Sequence, residues 1–234
     1  MELSEILDRF AEGIPAIGAS TEIEDEKHLS GLPCMTENQV ADEFVAWWVK
    51  TYPNGFLTTS DWNREMVNQG NGSAKRLIVF TSESFDGPKP EWAIELKCLR
   101  LIDNSGKNIG FRLKEFYSPY PKDKSLIHDI ERLKISTIAT RKAVIGYGWN
   151  YSFASCKTAL EYHPNETERI QNIRNVCHKN DPINGVLDLV PILEIIDHWL
   201  TSHNLAHPLA TLDFNDGWHH PTGGNGSVFG WELI

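Results

Sequence analysis

Residues 91–102 have the sequence EWAIELKCLRLI, in which apolar and polar side chains alternate. This period of two is typical of a β-strand, because successive side chains of a strand point to opposite faces of its sheet. One face is apolar and is expected to face the core; its residues are Trp92, Ile94, Leu96 and Cys98. The other face includes Glu95 and Lys97. Two charges are costly to bury on such a strand, so this pair is either an ion pair on an exposed sheet face or a group with a chemical role.

Turn sequences separate this segment from a predicted strand on either side. RLIVFTSESF (76–85) precedes the turn DGPKP, and IGFRLKEFY (109–117) follows the turn DNSGKN. Three strands joined by short Gly/Pro/Asn turns predict an antiparallel meander. The preceding stretch, 56–74, is polar and rich in Gly and Asn, and it is predicted to form a long loop.

Two predicted helices and a further strand complete the pattern. Thr36 can cap a helix over ENQVADEFVAWWVK, in which Val40, Phe44, Trp47 and Trp48 recur at helical spacing. Ser125 can cap a second helix, LIHDIERLK, and RKAVIGYGW (141–149) is typical of a buried strand. The order through residue 150 is therefore helix, three strands, helix, strand.

Length and composition predict one α/β (α+β) domain of 234 residues. We divide it into an N-terminal leader (1–35) with a short helix at Leu3–Phe10, a core (36–150), and a C-terminal helical extension with a terminal strand (151–234). The formal net charge of −10 excludes a histone-like coat of positive charge but not a local basic groove. Four scattered cysteines do not predict a zinc ribbon, and no apolar run predicts a membrane span, so a cytoplasmic protein is expected.

The αβββαβ order, with Glu-x-Lys on the middle strand of the meander, resembles the core of the PD-(D/E)xK nuclease superfamily, which includes most type II restriction endonucleases. The blocks PEWAIELKCLRL, DNSGKN, SPYPKDKS, RKAVIGYG and VFGWE also look like those of a group of bacterial restriction-endonuclease-like proteins. This resemblance covers residues 75–150 and the last few residues. It implies a restriction-endonuclease-like mixed sheet flanked by helices. It also implies a Mg²⁺-dependent endodeoxyribonuclease that acts on double-stranded DNA as a homodimer.

The resemblance assigns roles to individual residues. Glu95 would be a metal ligand, and Lys97 would orient or activate the attacking water. Glu43 would be the glutamate of the first core helix, since it follows Val40 by three residues, although it could also be a boundary residue that reaches solvent. The upstream acidic metal ligand is the departure from the pattern, because the equivalent positions, 76–79, contain no acid. We predict Asp86 for this role with Glu83 as the second choice; a third possibility is that the acid is missing and the nuclease is inactive.

Basic residues are concentrated in the predicted core. Residues 97–142 contain eleven Lys and Arg against five Asp and Glu, so this segment is locally positive in an acidic chain. The asymmetry favours a phosphate-facing surface over scattered solvated lysines. The residues predicted to contact DNA are Arg100, Lys107, Lys122, Lys124 and Arg141.

Two other functions remain open from the sequence. One is an inactive nuclease-like protein that binds DNA or another partner, and the other is a repair or junction nuclease that reads DNA shape. Among the weaker clusters, His219-His220 could bind a metal or simply lie in an exposed loop. Trp62 and Trp218 lie in predicted loops and could stack on bases.

Overall fold

The computed structural model describes residues 1–21, 30–53, 56–61, 76–107 and 125–234, with the backbone alone described for 56–61 and 76. The α-helices in these residues are α1 (Leu3–Ser20), α2 (Glu37–Thr51), α3 (Leu126–Ile135), α4 (Phe153–Tyr162), α5 (Thr167–Asn180) and α6 (Val190–Ser202). The strands are β1 (Phe56–Asp61), β2 (Arg76–Thr81), β3 (Trp92–Leu99), β4 (Arg141–Trp149), β5 (Tyr151–Ser152), β6 (Val186–Leu187), β7 (Ala210–Gly217) and β8 (Gly224–Glu232). A short 3-10 helix spans Leu32–Cys34.

Six strands form a central mixed sheet in the order β1-β2-β3-β4-β8-β7. β3 and β4 are parallel, and the other neighbouring pairs are antiparallel. Parallel neighbours require a crossover connection that is usually helical. Here α3 lies in that connection, so it is held close to the face of β3.

The two faces of β3 pack against different helices. Trp92 and Ile94 belong to the main apolar core together with Trp48 of α2. On the opposite face, Ala93 packs in a smaller apolar cluster with Leu133 of α3. The sheet therefore lies between α2 and α3, and Glu95 and Lys97 are on the α3 side.

The N-terminal helix is part of the core. α1 continues to Ser20, well past the predicted end at Phe10, and nine of its residues are buried. The ring centroid of Phe10 lies 4.3 Å from that of Phe44 on α2. The description of residues 1–35 as a leader is therefore wrong for α1, because its apolar stripe covers β7 and β8.

β1 lies where a loop was predicted. Phe56 pairs with Thr81 and Asp61 pairs with Arg76, so this segment is an antiparallel edge strand. The Gly and Asn residues that follow suggest a loop, but the segment itself, FLTTSD, carries aromatic and β-branched residues that favour a strand. Glu95 and Lys97 consequently lie on the third strand of the sheet, and the predicted strand at 109–117 lies outside the described residues.

The C-terminal segment completes the sheet. β8 pairs with β4. It begins at Gly224, four residues before the VFGWE block that starts at Val228 and marks the predicted terminal strand. β7 has no counterpart among the predicted elements and pairs with β8 at the edge. No helix in the described residues is long and apolar enough to cross a membrane.

Candidate active site

Glu95 and Lys97 are buried on the α3-facing side of β3. Only 4% of Glu95 and 7% of Lys97 is exposed. The backbone of Glu95 is in register with Val144 of β4, and that of Lys97 with Gly146. The interpretation of this pair as an ion pair on an open sheet face is therefore wrong, since α3 covers this face.

Three carboxylates surround the ammonium group of Lys97. The distance from Lys97 Nζ is 2.5 Å to Asp129 Oδ2, and 3.5 Å to both Glu95 Oε1 and Glu37 Oε2. These residues come from α3, β3 and α2, so the cluster joins three elements of the core. We call the group of Glu37, Glu95, Lys97, Asp129 and Arg132 the acidic cluster.

Asp129 reaches the acidic cluster because it lies on the buried stripe of α3. Leu126, Ile130 and Leu133 form the apolar part of that stripe, and Asp129 falls three residues after the first of them. Only 2% of Asp129 is exposed. One of its oxygens accepts from Lys97, and the other contacts Arg132 in the next turn. A carboxylate at helical spacing within an apolar stripe was the sequence signal that would have identified it.

Glu37 is the first residue of α2 and contributes the most exposed carboxylate of the cluster. Its Oε1 accepts a hydrogen bond of 3.1 Å from the backbone N–H of Cys98, while Oε2 faces Lys97. The side chain is 38% exposed, whereas that of Asp129 is 2% exposed. The cluster therefore meets solvent on the Glu37 side.

Glu43 lies outside the acidic cluster, and the prediction that it faces the interior is wrong. The buried face of α2 carries Val40, Ala41, Phe44 and Trp48, and Glu43 is exposed. At about 100° per residue, Glu37 falls near the centre of that buried arc, while Glu43 falls about 60° outside it. The helix glutamate that reaches Lys97 is thus the one at the N-terminus of α2.

Asp86 and Glu83 are not brought to Glu95. Both are exposed in the connection between β2 and β3. The β2–β3 ladder ends at Phe80 opposite Trp92, three residues before Glu95, or about 10 Å along the strand. The choice of Asp86 as the upstream ligand is therefore not supported by its position, and neither is Glu83. If the register of Ile78 with Ile94 continues by one residue, Leu77 lies opposite Glu95. The position on β2 beside Glu95 is therefore apolar and offers no metal ligand.

The acidic cluster contains three carboxylates and two cations, Lys97 and Arg132. Burial lowers the pKa of the Arg132 guanidinium, while the negative charge of Glu95 opposes that change. Buried ionic groups are seldom more stabilising than apolar residues of similar volume, because each charge loses its hydration. The acidic cluster is therefore the candidate functional site of this protein.

Comparison with protein-family models, with curated proteins and with solved structures finds no match for this chain. The chemistry of the acidic cluster must therefore be argued from its own geometry.

The donor chemistry of the acidic cluster fits a hard divalent cation. Mg²⁺ takes oxygen ligands and is commonly held by one or two carboxylates together with water and substrate phosphate. Glu95 and Asp129 carry such carboxylates, and both contact the ammonium group of Lys97. Within the described ranges, no three His, Cys, Asp or Glu side chains are grouped closely enough to hold a metal by themselves. Glu95 and Asp129 are therefore the two carboxylates that this site could offer a metal, in exchange for part of their contacts with Lys97.

The basic residues predicted to contact DNA have different environments. Arg141 donates two hydrogen bonds of 2.9 Å to Glu232, contacts Glu2, and lies 4.0 Å from the Trp92 ring centroid. The hydrogen bonds to Glu232 raise the pKa of Arg141, against the opposing effect of burial. These contacts engage its guanidinium within the protein and do not favour a phosphate contact.

The other residues predicted to contact DNA also differ from one another in exposure and contacts. Arg100 is only partly exposed, and its Nη2 donates to the carbonyl of Met35 at 3.0 Å. Lys107 is exposed next to α5, where it lines a polar cleft of about 300 Å³ with Arg169. Lys122 and Lys124 lie outside the described residues.

The weaker clusters of the sequence are mostly structural where they are described. His220 is fully buried, and its Nδ1 accepts from the backbone N–H of Thr222 at 3.0 Å. His219 is exposed. Trp218 is 6% exposed and stacks on Tyr162, which leaves it poorly placed for stacking on a base. Trp62 lies outside the described residues.

Proposed function

We propose that this protein is a Mg²⁺-dependent endonuclease that hydrolyses double-stranded DNA, of the type II restriction endonuclease kind. The observation that carries the proposal is the convergence of Glu95, Asp129 and Glu37 on the buried ammonium of Lys97. Carboxylates can hold the metal ion that activates water for phosphodiester hydrolysis, and a neighbouring ammonium can stabilise the negative charge that develops.

The order of elements supports a restriction-endonuclease-like core. Among the described residues, the order α2, β1, β2, β3, α3, β4 is the αβββαβ order of the PD-(D/E)xK superfamily. Glu95 and Lys97 lie on the third strand of that series, which is where the superfamily carries Glu-x-Lys. The homodimer that the resemblance implies remains part of the proposal.

Four residues of the acidic cluster have a role in the proposed reaction. Glu95 and Asp129 would hold the metal, and Asp129 would replace the upstream acid that β2 lacks. Bound Mg²⁺ would lower the pKa of a water and neutralise charge on the scissile phosphate. Lys97 would orient that water and stabilise negative charge that develops on the phosphate. Arg132 would keep the Asp129 carboxylate oriented through its contact with Oδ1.

The test is cleavage of supercoiled plasmid DNA by the purified protein with Mg²⁺ and with EDTA. We expect discrete fragments with Mg²⁺ only. Glu95→Gln, Lys97→Met and Asp129→Asn should each reduce the rate at least about 100-fold, since each removes a group of the reacting centre. Glu43→Gln is the matched control and should cleave normally. The absence of cleavage with Mg²⁺, Mn²⁺ or any other divalent metal would refute the proposed endonuclease activity.

A second candidate is an inactive nuclease-like protein that binds DNA or another partner. The observation that favours it is the pairing of Lys97 and Arg132 with Asp129, which neutralises much of the negative charge available to a metal. This candidate predicts duplex binding that is unchanged by EDTA and by Glu95→Gln, with no cleavage under any condition. Plasmid cleavage and duplex affinity, measured on the same preparation, separate the two functions.

A further inference from the structure

Three lysines meet at the edge of the sheet where α3 ends and β3 and β4 begin. Lys142 Nζ donates a 2.6 Å hydrogen bond to the backbone carbonyl of Lys134 in the last turn of α3. Lys89 lies one residue before Pro90, whose carbonyl accepts from the backbone N–H of Thr140 at 3.0 Å. We call Lys89, Lys134 and Lys142 the lysine edge.

The positive charge of the lysine edge is not compensated within the described residues. No Asp or Glu of the described ranges forms an ion pair with any of the three lysines at up to 4.0 Å. Burial, followed by the charges of Lys89 and Lys134, lowers the pKa of Lys142. Three ammonium groups have thus been placed together in a chain of net charge −10, which favours an anionic partner.

The lysine edge lies on the same side of the sheet as the acidic cluster. Lys142 is in register with Ala93 of β3, two residues before Glu95, or about 7 Å along the strand. Lys134 follows Asp129 by five residues on α3, a rise of about 7–8 Å. Duplex DNA carries a phosphate about every 3.4 Å of axis on each strand. Successive phosphates of one strand are farther apart than this axial rise because the backbone winds around the axis, so a strand with one phosphate at the acidic cluster would place an adjacent phosphate near the lysine edge.

A capping role explains only part of this arrangement. The contact between Lys142 and the Lys134 carbonyl stabilises the C-terminus of α3, where positive charge is favourable. It uses one of the three N–H donors of Lys142. Lys89 is exposed and Lys134 is half-buried, and neither side chain makes a hydrogen bond or ion pair with the described residues.

We propose that Lys89, Lys134 and Lys142 bind backbone phosphates of duplex DNA that flank the phosphodiester held at the acidic cluster. This inference rests on the proposed function and names the surface that holds the substrate. The contacts are to phosphates, so they contribute affinity and orientation without reading base sequence.

The test is the salt dependence of duplex binding, measured by fluorescence anisotropy with a labelled 30-base-pair duplex in EDTA. The variant is Lys89→Gln/Lys134→Gln/Lys142→Gln. The matched control is Lys50→Gln/Lys157→Gln/Lys179→Gln, which removes the same charge from exposed positions on α2, α4 and α5. For the edge variant, we expect the magnitude of the slope of log K against log salt to fall by about two to three. Its affinity at low salt should fall at least about 10-fold. In the control variant, the changes in the slope and in the affinity should each be at most about a third of those in the edge variant.

The outcomes separate this inference from the proposed function. If the edge variant binds like the wild type, or if the control loses as much affinity, the lysine edge does not bind phosphate. Either result would leave the proposed action on duplex DNA intact. A wild type that binds no duplex would overturn the proposed function itself. If the triple variant does not fold by circular dichroism, Lys89→Glu/Lys134→Glu keeps Lys142 and its capping bond, and it should lose at least as much affinity.

Discussion

The ammonium of Lys97 lies 2.5 Å from the carboxylate of Asp129, and neither side chain is more than 9% exposed. This contact joins β3 to α3 across the face of the sheet. It is the shortest contact that Lys97 makes to the three carboxylates around it. Because both partners are buried, removing either one costs the other its nearest opposite charge, leaving Lys97 with Glu95 and Glu37, and Asp129 with Arg132.

The first prediction concerns stability. Asp129→Leu should lower the free energy of unfolding by about 3–5 kcal/mol, since Lys97 loses its nearest partner inside the protein. The double variant Lys97→Met/Asp129→Leu should lose less stability than the sum of the two single variants, because the contact between the two side chains can be lost only once. Urea unfolding of the two single variants and the double variant measures the coupling. Additive effects in this cycle would contradict a direct interaction between the two side chains.

The second prediction compares two glutamates on one helix. Glu37→Gln should reduce DNA cleavage by at least about 10-fold, since Glu37 holds the Cys98 N–H and faces the Lys97 ammonium. Glu43→Gln changes an exposed side chain of the same helix and should leave cleavage within about twofold of the wild type. Initial rates at saturating plasmid and Mg²⁺ measure both. Equal losses in the two variants would indicate an effect of α2 as a whole rather than of the Glu37 carboxylate.

Much of the architecture could be predicted from periodicity. The start of α2 after Thr36, whose side chain accepts from the Gln39 N–H, and the strand at Arg141–Trp149 agree with the structure. β1 and β7 could not be recognised as easily, because the first adjoins a polar Gly/Asn-rich stretch and the second, ATLDFNDG, contains Asp, Asn and Gly, which are depleted in strands. The parallel pairing of β3 with β4 depends on contacts distant in sequence, which local patterns do not encode.

The acidic cluster was predictable only in part, for a related reason. Glu95 and Lys97 were evident because charges on an apolar strand are unusual. Asp129 and Glu37 occupy the apolar stripes of α3 and α2, and a search for apolar residues alone passes over them. Asp86 and Glu83 are the acids available shortly before Glu95, but both are exposed in the β2–β3 connection, beyond the end of the ladder.

The third prediction concerns Arg141. Arg141→Ala should lower the free energy of unfolding by about 2 kcal/mol, because it removes paired charge-assisted hydrogen bonds to Glu232 and a cation–π contact with Trp92. Arg141→Lys keeps the charge but cannot form the bidentate pair, so its stability should be intermediate. Duplex affinity of either variant should change less than that of the lysine-edge variant. A large loss of DNA binding at wild-type stability would instead support the phosphate contact expected from the sequence.

The fourth prediction concerns Gly146. A Cβ atom at this position would lie 2.0 Å from the ring of Phe229, the partner of Gly146 on β8. Gly146→Ala must displace that fully buried ring and should cost about 1–3 kcal/mol of stability. The double variant Gly146→Ala/Phe229→Leu should fall by less than the sum of the two single variants, because the smaller side chain leaves room for the methyl group. Thermal unfolding of all four proteins checks this.

The last prediction is a loss of stability in acid caused by His220. Burial, together with the charges of Arg169, His163 and Arg100, lowers the pKa of His220 to about 3. The unfolded chain binds a proton at this residue below its ordinary pKa of about 6.5, whereas the folded protein does not. Stability is therefore fully present above about pH 6.5 and falls as the pH drops toward 3. By about pH 4.5 the contribution of His220 to this loss is about 3 kcal/mol.

Two neighbouring histidines provide the comparison for this effect. His220→Asn removes the titration while its amide oxygen can still accept from the Thr222 N–H, and His219→Asn changes an exposed side chain. Urea unfolding between pH 7.5 and pH 4.5 should give a slope for His220→Asn that is smaller by about one proton, or about 1.4 kcal/mol per pH unit below pH 6. The slope of His219→Asn should match the wild type, since this variant keeps the buried imidazole of His220. A wild-type slope in His220→Asn would show that this imidazole is already accessible to protons in the folded protein.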